Sequence, residues 1–553
     1  MAQTAAAGTG LSTRVRVALL AGPALFLGVL YVYPVASIVG LGVRDGGRWN
    51  LGELTDLAGD PSFRGVLGFT VGQAVLSTVV TLALGLPGAW VLARFDFRGR
   101  ALVRAAVTVP FVLPTVVVAS AFLALAGPRG AFSSVVRLDG TVAAIVVAHA
   151  FFDYAIVVRV VGGVWARLDP RVEDAARALG ATRAQVLRHI TLPLLRPAIA
   201  SAAVLVFLFT FTSFGVVQLL GGPEHATLEV EIARTTRQLD LPRAAALAVV
   251  QLLTVAALLV VQARLRDRAR AGALALAPAT TTARRPRTAG ERTALGANLA
   301  VMAALLGAPL LVLVERSFRV GDGYGLAWWR ALGSSARGST LFVTPWAAVR
   351  TSLGYATVAA VIALLVGGAA AVAVAARTDR LGRAADTVLA LPLGTSAVTV
   401  GFGFLVALDT PPLDLRGSWW IVPLAHALVG VPFVVRTLVP ALRAVEPRLR
   451  EAAATLGAPP GRVWREVDLP LVGRAVLVAG GFAFAVSLGE FGATTVLGRD
   501  DTPTVPLAIA RFLGRPGEAN FGQAMAMSVV LLVVTAVVVA LADRGRVGDV
   551  GEF

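Results

Sequence analysis

The chain has 553 residues, 56% hydrophobic and only 15% charged, with a mean hydropathy of +0.76. Soluble domains are nearer a quarter charged, so a soluble enzyme does not fit, and neither does a disordered chain. Its 50 cations, all Arg, outnumber 33 acidic residues for a net charge of +17; with no Lys, no Cys and four His, the chain lacks the means for a Lys-bearing phosphate loop, Schiff-base chemistry, disulfides or thiolate metal sites, and has little for a His-based one.

A bilayer-spanning helix needs about 20 mostly apolar residues. Twelve such stretches are predicted in chain order. Six lie near 17–40, 67–93, 105–126, 139–161, 197–220 and 243–263, and six near 295–314, 347–375, 384–406, 419–436, 475–497 and 521–542. The first follows Arg14 and Arg16, as a signal peptide would, but it is too long for one and is expected to be retained. A basic chain can also signal nucleic acid. Here the Arg residues lie between apolar runs, where the positive-inside rule places them, so a bilayer and not a nucleic acid is the expected partner. Arg94, Arg98, Arg100 and Arg104 follow span two, and Arg167 to Arg196 separate spans four and five. Arg377, Arg380 and Arg383, then Arg443 to Arg474, repeat the arrangement. These loops are expected to be cytoplasmic, with both termini on the same side.

The stretch 264–292, rich in Arg, Ala, Thr and Pro, reads as a flexible cytoplasmic linker. It divides the chain into a first transmembrane domain (1–270), a linker (271–292) and a second transmembrane domain (293–553). Residues offset by 277 match across that boundary: His149 with His426, Arg159 with Arg436, Leu179-Gly180-Ala181 with Leu456-Gly457-Ala458, and Leu192-Pro193-Leu194 with Leu469-Pro470-Leu471. The expected fold is an all-α membrane protein of about 12 transmembrane helices in two six-helix repeats. An even number of spans per repeat keeps both halves in the same orientation, and two like halves suit a central translocation pathway.

The best-matched loops join the fourth and fifth spans of each half. One reads Asp174-Ala175-Ala176, three residues, Gly180, nine residues, Ile190-Thr191-Leu192-Pro193. The other reads Glu451-Ala452-Ala453, three residues, Gly457, nine residues, Val467-Asp468-Leu469-Pro470. Each spells a short helix, a turn at Gly, a second short helix, and a Pro opening the next span.

This arrangement resembles the E-A-A-x3-G-x9-I-x-L-P motif of ABC importer permeases, with Asp174 in place of Glu and Val467 in place of Ile. The resemblance implies a type I importer permease of the bacterial plasma (inner) membrane. It also implies that these loops dock on two cytoplasmic ABC ATPase subunits, and that an extracytoplasmic binding protein delivers the cargo. The docking contacts carried over are Asp174, Ala175, Ala176, Gly180 and Pro193, and Glu451, Ala452, Ala453, Gly457 and Pro470. ATP and Mg would be bound by the partner ATPase. No cofactor, catalytic residue or metal ligand is expected in this chain.

Ionisable residues inside spans are costly and by default mark function. Glu490, in Ser487-Leu488-Gly489-Glu490-Phe491-Gly492, is either a pathway contact or a hydrogen-bonded group that holds helices together. Asp153, Gln218 and Ser213, the last at the counterpart position of Glu490, are further pathway candidates. Asp153 has Arg159 within reach on its helix, and His149 and His426 read as matched packing. A fused double permease resembles the thiamine and ferric-iron importers most. Ala148-His149-Ala150-Phe151-Phe152, Gly221-Gly222-Pro223 and Thr504-Val505-Pro506 resemble the thiamine type. Iron(III), polyamine and molybdate or sulfate remain alternatives, and an ion-coupled secondary transporter is the rival of a different class.

Overall fold

A computed structural model describes residues 13–45, 48–49, 52–271, 283–334, 340–377, 379–411 and 413–544. Ten of its helices are long and apolar enough to cross a bilayer: Leu19–Val43, Pro61–Arg94, Val142–Trp165, Arg183–Phe211 and Leu241–Leu265, then Ala289–Phe318, Pro345–Ala375, Ile421–Ala444, Pro460–Gly489 and Glu518–Ala542. Spans three and nine are not single rods. Arg100–Val112 meets Thr115–Ala126 at 104°, and Ala384–Pro392 meets Ala397–Ala407 at 89°. Counting each bent pair once gives twelve.

Proline accounts for the first bend. Leu113 is extended (φ −68°, ψ 143°) directly before Pro114, because the Pro ring disfavours the helical region for its predecessor. In the second pair, Pro392 lies in the last turn, and Thr395 and Ser396 are both extended. The Ser396 hydroxyl then accepts from Val398 N at 3.1 Å and restarts the helix.

Proline also explains four π turns, at Gly28–Val32, Leu187–Thr191, Ala303–Gly307 and Trp464–Asp468. Each ends two residues before a Pro: Pro34, Pro193, Pro309 and Pro470. Inside an α-helix a Pro ring clashes with the carbonyl four residues back. Here the residue before each Pro donates five residues back, as Leu192 N does to Leu187 O and Leu469 N to Trp464 O. The widened turn lets the helix pass the Pro without a sharp kink. The second short helix of each matched loop therefore runs on into the next span, where the sequence pattern suggested a separate piece.

The chain packs as two compact units, and these do not follow the order of the repeat. One comprises 1–54, 232–248 and 329–553; the other comprises 55–231 and 249–328. Span one thus belongs with second-half helices. Tyr31 Oη bonds Thr395 Oγ1 at 2.6 Å, and Pro34 and Ile38 lie against Gly403. Span seven belongs with first-half helices, where Met302 packs beside Gly88 and Tyr154. Division by sequence repeat (1–270, 293–553) and division by packing differ by this exchange of first helices and by 232–248, which also packs with second-half helices.

Within the 55–231 unit, Pro61–Arg94 packs along Val142–Trp165. The close approach needs Gly85, where a Cβ would sit 2.7 Å from Val157 Cβ. The other unit repeats this between Gly367 and Val434, at 2.9 Å. Helix association in lipid relies on such small-residue contacts.

Of the linker, 272–282 lie outside the described residues. The rest is not a free tether. Residues to Ala271 continue the helix of span six, and 283–288 are fastened to the end of span two. Arg284 N donates to Arg94 O (3.0 Å), and Asp96 N donates to Arg284 O (2.9 Å). The Arg284 guanidinium lies 5.8 Å from the Phe95 ring centre and makes a two-pronged pair with Glu291, at 2.6 and 3.0 Å. Backbone pairing and a bidentate charge pair order this segment where composition alone suggested flexibility.

Gly85→Ala is expected to destabilise the purified protein by about 1–3 kcal/mol, because Val157 Cβ cannot move without its helix. Gly72→Ala, which meets nothing within 4 Å, is the control. Thermal unfolding in detergent checks the difference.

Candidate functional site

Two matched elbows stand out from the packed helices. In the first, Asp169 caps Arg171 N at 2.9 Å and Pro170 opens the short helix Pro170–Ala178. The helix stops at Gly180 (φ 90°), with Gly180 N bonded to Arg177 O and Ala181 N to Ala176 O. In the second, Pro447–Thr455 stops at Gly457 (φ 82°), with Gly457 N bonded to Ala454 O and Ala458 N to Ala453 O. A left-handed residue followed by this bond pattern is a helix stop that favours Gly. Ala176 and Ala453, the second alanines of the motif, supply the carbonyls that close it. The chain then re-enters a helix, capped in the first elbow by Thr182 with Gln185 and opened in the second by Pro460.

Neither elbow helix has a fully buried residue. At the apices Leu179 is 90% exposed and Leu456 88%. A hollow of about 360 Å³, lined in part by Leu179, Ala181, Gln185 and Ile190, lies beside the first apex. The two leucines occupy matched positions, 277 residues apart, and both leave an apolar side chain uncovered at the elbow apex. Asp174 is exposed and pairs with Arg177 at 3.2 Å. Glu451 is exposed and makes no ion pair among the described residues.

The sequence reading passed over the residues that hold the elbows in place. Beside Asp174, Glu173 is mostly buried; it accepts from Arg94 at 2.7 Å and from Thr191 Oγ1 at 2.9 Å. Arg94 also donates to Leu168 O, at the end of span four. In the second elbow Arg450 donates to Asp468 at 2.7 Å and to Leu442 O at 3.2 Å. The offset of 277 aligns Glu173 with Arg450 and Thr191 with Asp468. The available signal was therefore a coupled change of charge at two aligned positions, which in an alignment of the halves looks like two mismatches.

Within the membrane, Glu490 is engaged on all sides. The helix ends at Gly489, and Glu490 is extended. Its carboxylate accepts from Ala493 N (3.1 Å) and Thr494 N (3.2 Å), capping the short helix Gly492–Leu497. His426 Nε2 lies 3.3 Å from the carboxylate and 3.0 Å from Thr494 Oγ1, and its Nδ1 is 2.9 Å from Ser487 Oγ. Glu490 is 8% exposed. The geometry is that of a helix-joining group.

Asp153, Ser213 and Gln218 belong to the other packing unit, and no hydrogen bond joins any two of them among the described residues. Asp153 is 4% exposed and forms no hydrogen bond or ion pair among those residues, so the pairing with Arg159 suggested by their spacing is not made. His149 Nδ1 is 3.0 Å from Ser77 Oγ, while His149 Nε2 and Gln218 Oε1 are buried with no partner among the described residues. The rings near Asp153 pack on one another, Phe122 on Phe151 and Phe151 on Phe152, edge to face. The sequence reading also missed Glu229, which is fully buried and bonded to Gln251 Nε2. It lies on the helix Leu228–Arg237, between the stretches expected as spans five and six.

Several known proteins resemble this chain over much of its length. Residues 85–271 match the family described as binding-protein-dependent transport system inner membrane component. The probable ABC transporter permease protein y4fN of Sinorhizobium fredii is 24% identical over 524 residues, 90% of each chain. The thiamine transport system permease protein ThiP of Brucella abortus is 28% identical over 491 residues, 86% of each chain. The sulfate transport system permease protein CysT of Salmonella typhimurium is 30% identical over 232 residues, which are 40% of this chain and 82% of that protein. With its spans, its repeat and its paired elbows, the chain belongs to the family of binding-protein-dependent ABC importer permeases of the inner membrane.

Proposed function

We propose that this chain forms both halves of the translocation pathway of a thiamine importer. Two cytoplasmic ABC ATPase subunits dock on the elbows and bind ATP and Mg. An extracytoplasmic binding protein delivers the cargo, and ATP-driven closure of the ATPases biases the permease between inward- and outward-facing states. The paired, outward-projecting elbows support the coupling. Similarity to thiamine permeases over 86% of the chain supports the cargo. The Arg-rich loops support an orientation with elbows and termini in the cytoplasm.

Docking energy concentrates in a few apolar or aromatic anchors. Leu179 and Leu456 fit that role, flanked by Asp174, Ala175 and Ala176 in one elbow and by Glu451, Ala452 and Ala453 in the other. Gly180 and Gly457 set the turns, and Pro193 and Pro470 set the π turns behind them. Glu451 is the freer of the two acids, because Asp174 already pairs with Arg177. In the membrane, Asp153, Ser213 and Gln218 are the groups left to meet a cationic cargo. Glu490 is occupied as a cap.

Leu456→Ser is expected to cut co-purification of the ATPase on the order of ten-fold, about the loss of one anchor contact. The melting temperature of the permease alone should stay unchanged, since the side chain is 88% exposed. Equal ATPase recovery would remove Leu456 from the interface.

Glu490→Gln turns one carboxylate oxygen into an amide donor facing the Ala493 and Thr494 N–H groups. It is expected to cost about 1–3 kcal/mol of stability, read as a lower melting temperature, with uptake falling only as far as folded protein falls. Normal stability with lost uptake would make Glu490 a cargo contact instead.

Cargo is tested by uptake of labelled thiamine in cells with and without the gene, with iron(III) and sulfate in parallel. Loss of thiamine uptake alone is the expected result. Loss confined to iron(III) or sulfate would overturn the cargo and leave the elbows as described.

A further inference from the structure

The two elbows are tied to the spans that follow them by buried pairs of opposite design. In the first half the elbow helix contributes an acid, Glu173, and the span contributes the hydroxyl of Thr191, with Arg94 from span two neutralising the acid. In the second half the elbow helix contributes the base, Arg450, and the span contributes the acid, Asp468. Asp468 is 3% exposed and Thr191 likewise 3%. Both are the last residue of a π turn, Leu187–Thr191 and Trp464–Asp468.

That placement has a mechanical consequence. Each elbow helix reaches its span through a left-handed Gly and then through a π turn, two points at which the backbone is easily deformed. A displacement of the elbow helix could be absorbed at either one. The buried pair bypasses both, joining the elbow helix directly to the end of the π turn. In the second half, parting Arg450 from Asp468 would leave an uncompensated buried carboxylate; in the first, the link to the π turn is the Thr191 hydrogen bond to Glu173, whose charge Arg94 balances. Arg450 also holds the end of span ten through Leu442 O, and Arg94 holds the end of span four through Leu168 O.

We infer that Glu173–Thr191, with Arg94, and Arg450–Asp468 are positioning residues for energy coupling: they make each elbow helix move as one body with the base of span five or span eleven. This rests on the importer function above but not on the identity of the cargo.

The natural chain has no cysteine, so two introduced cysteines accept spin labels without background. Arg448→Cys on the second elbow helix and Leu477→Cys on the following span are both well exposed, at 87% and 70%. Labelled permease is assembled with its ATPases in lipid, and the label separation is measured without nucleotide and with ATP trapped. The parent pair is expected to give one narrow separation, the same in both states. Asp468→Asn is expected to broaden or split it and to lower transport per ATP hydrolysed on the order of ten-fold, within the usual range of coupling between linked sites. Arg450→Glu combined with Asp468→Arg restores a pair of the opposite sense and should recover both readouts, whether the single variant assembles poorly or merely couples poorly.

An assembled Asp468→Asn protein with the parent's separation and the parent's transport per ATP would overturn the inference. A double variant that recovers neither readout would overturn it too. Absence of ATP-driven transport in the parent would count against the importer function alone, because the label separation needs no cargo.

Discussion

A backbone N–H or C=O left unpaired in hydrocarbon costs several kcal/mol, so a chain in lipid stays helical wherever it can. Departures from the helix therefore need a local cause and a local remedy. Here the cause is most often Pro, which lacks the N–H. At Pro34, Pro193, Pro309 and Pro470 the remedy is a π turn that shifts the preceding donor back by one carbonyl. At Pro114 the helix breaks and turns through 104°. At Gly489 to Gly492 the break is closed by the Glu490 carboxylate, which takes up the N–H groups that the next helix leaves open. A carboxylate in a span first suggests cargo, yet the backbone has the prior claim on it.

The elbows follow the same economy outside the membrane. Gly180 and Gly457 end their helices in a conformation that satisfies the final carbonyls internally, so the apical Leu179 and Leu456 are left with no packing role. Their exposure is a consequence of the turn. The buried pairs behind them, Glu173 with Arg94 and Arg450 with Asp468, supply the anchorage that so exposed a segment does not obtain from apolar packing.

Much of this was legible in the sequence. Twelve apolar stretches, the offset of 277, and the position of Gly and Pro in each elbow all report local physics: hydropathy, duplication and backbone freedom. What stayed hidden depends on partners far along the chain. Apolar composition shows that span one is covered by lipid or protein, but not that Tyr31 meets Thr395. The linker looked free because its pairing partner, the strand-like end of span two at Phe95, is nearly two hundred residues away. Glu173 was overlooked because Asp174 occupies the motif position beside it. Glu490 was recognised as unusual, while its role turned on His426 and on two backbone N–H groups that no spacing rule reveals.

Fusion of the halves adds a further constraint and a freedom. Two identical subunits would place the same residue on both sides of a pathway. A single chain can differ at each matched position, and this one does. Ser213 stands where Glu490 does, Gly430 where Asp153 does, and Thr191 where Asp468 does. In the elbows the changes compensate within each half, since an acid and a hydroxyl on one side become a base and an acid on the other, and each set remains paired in its own unit. In the membrane they do not compensate. Glu490 is fully bonded, whereas Asp153 on a different half is buried without a hydrogen bond among the described residues. A capped carboxylate at Glu490 in one half, with Ser213 at the matched position of the other, is an arrangement that two identical subunits could not have.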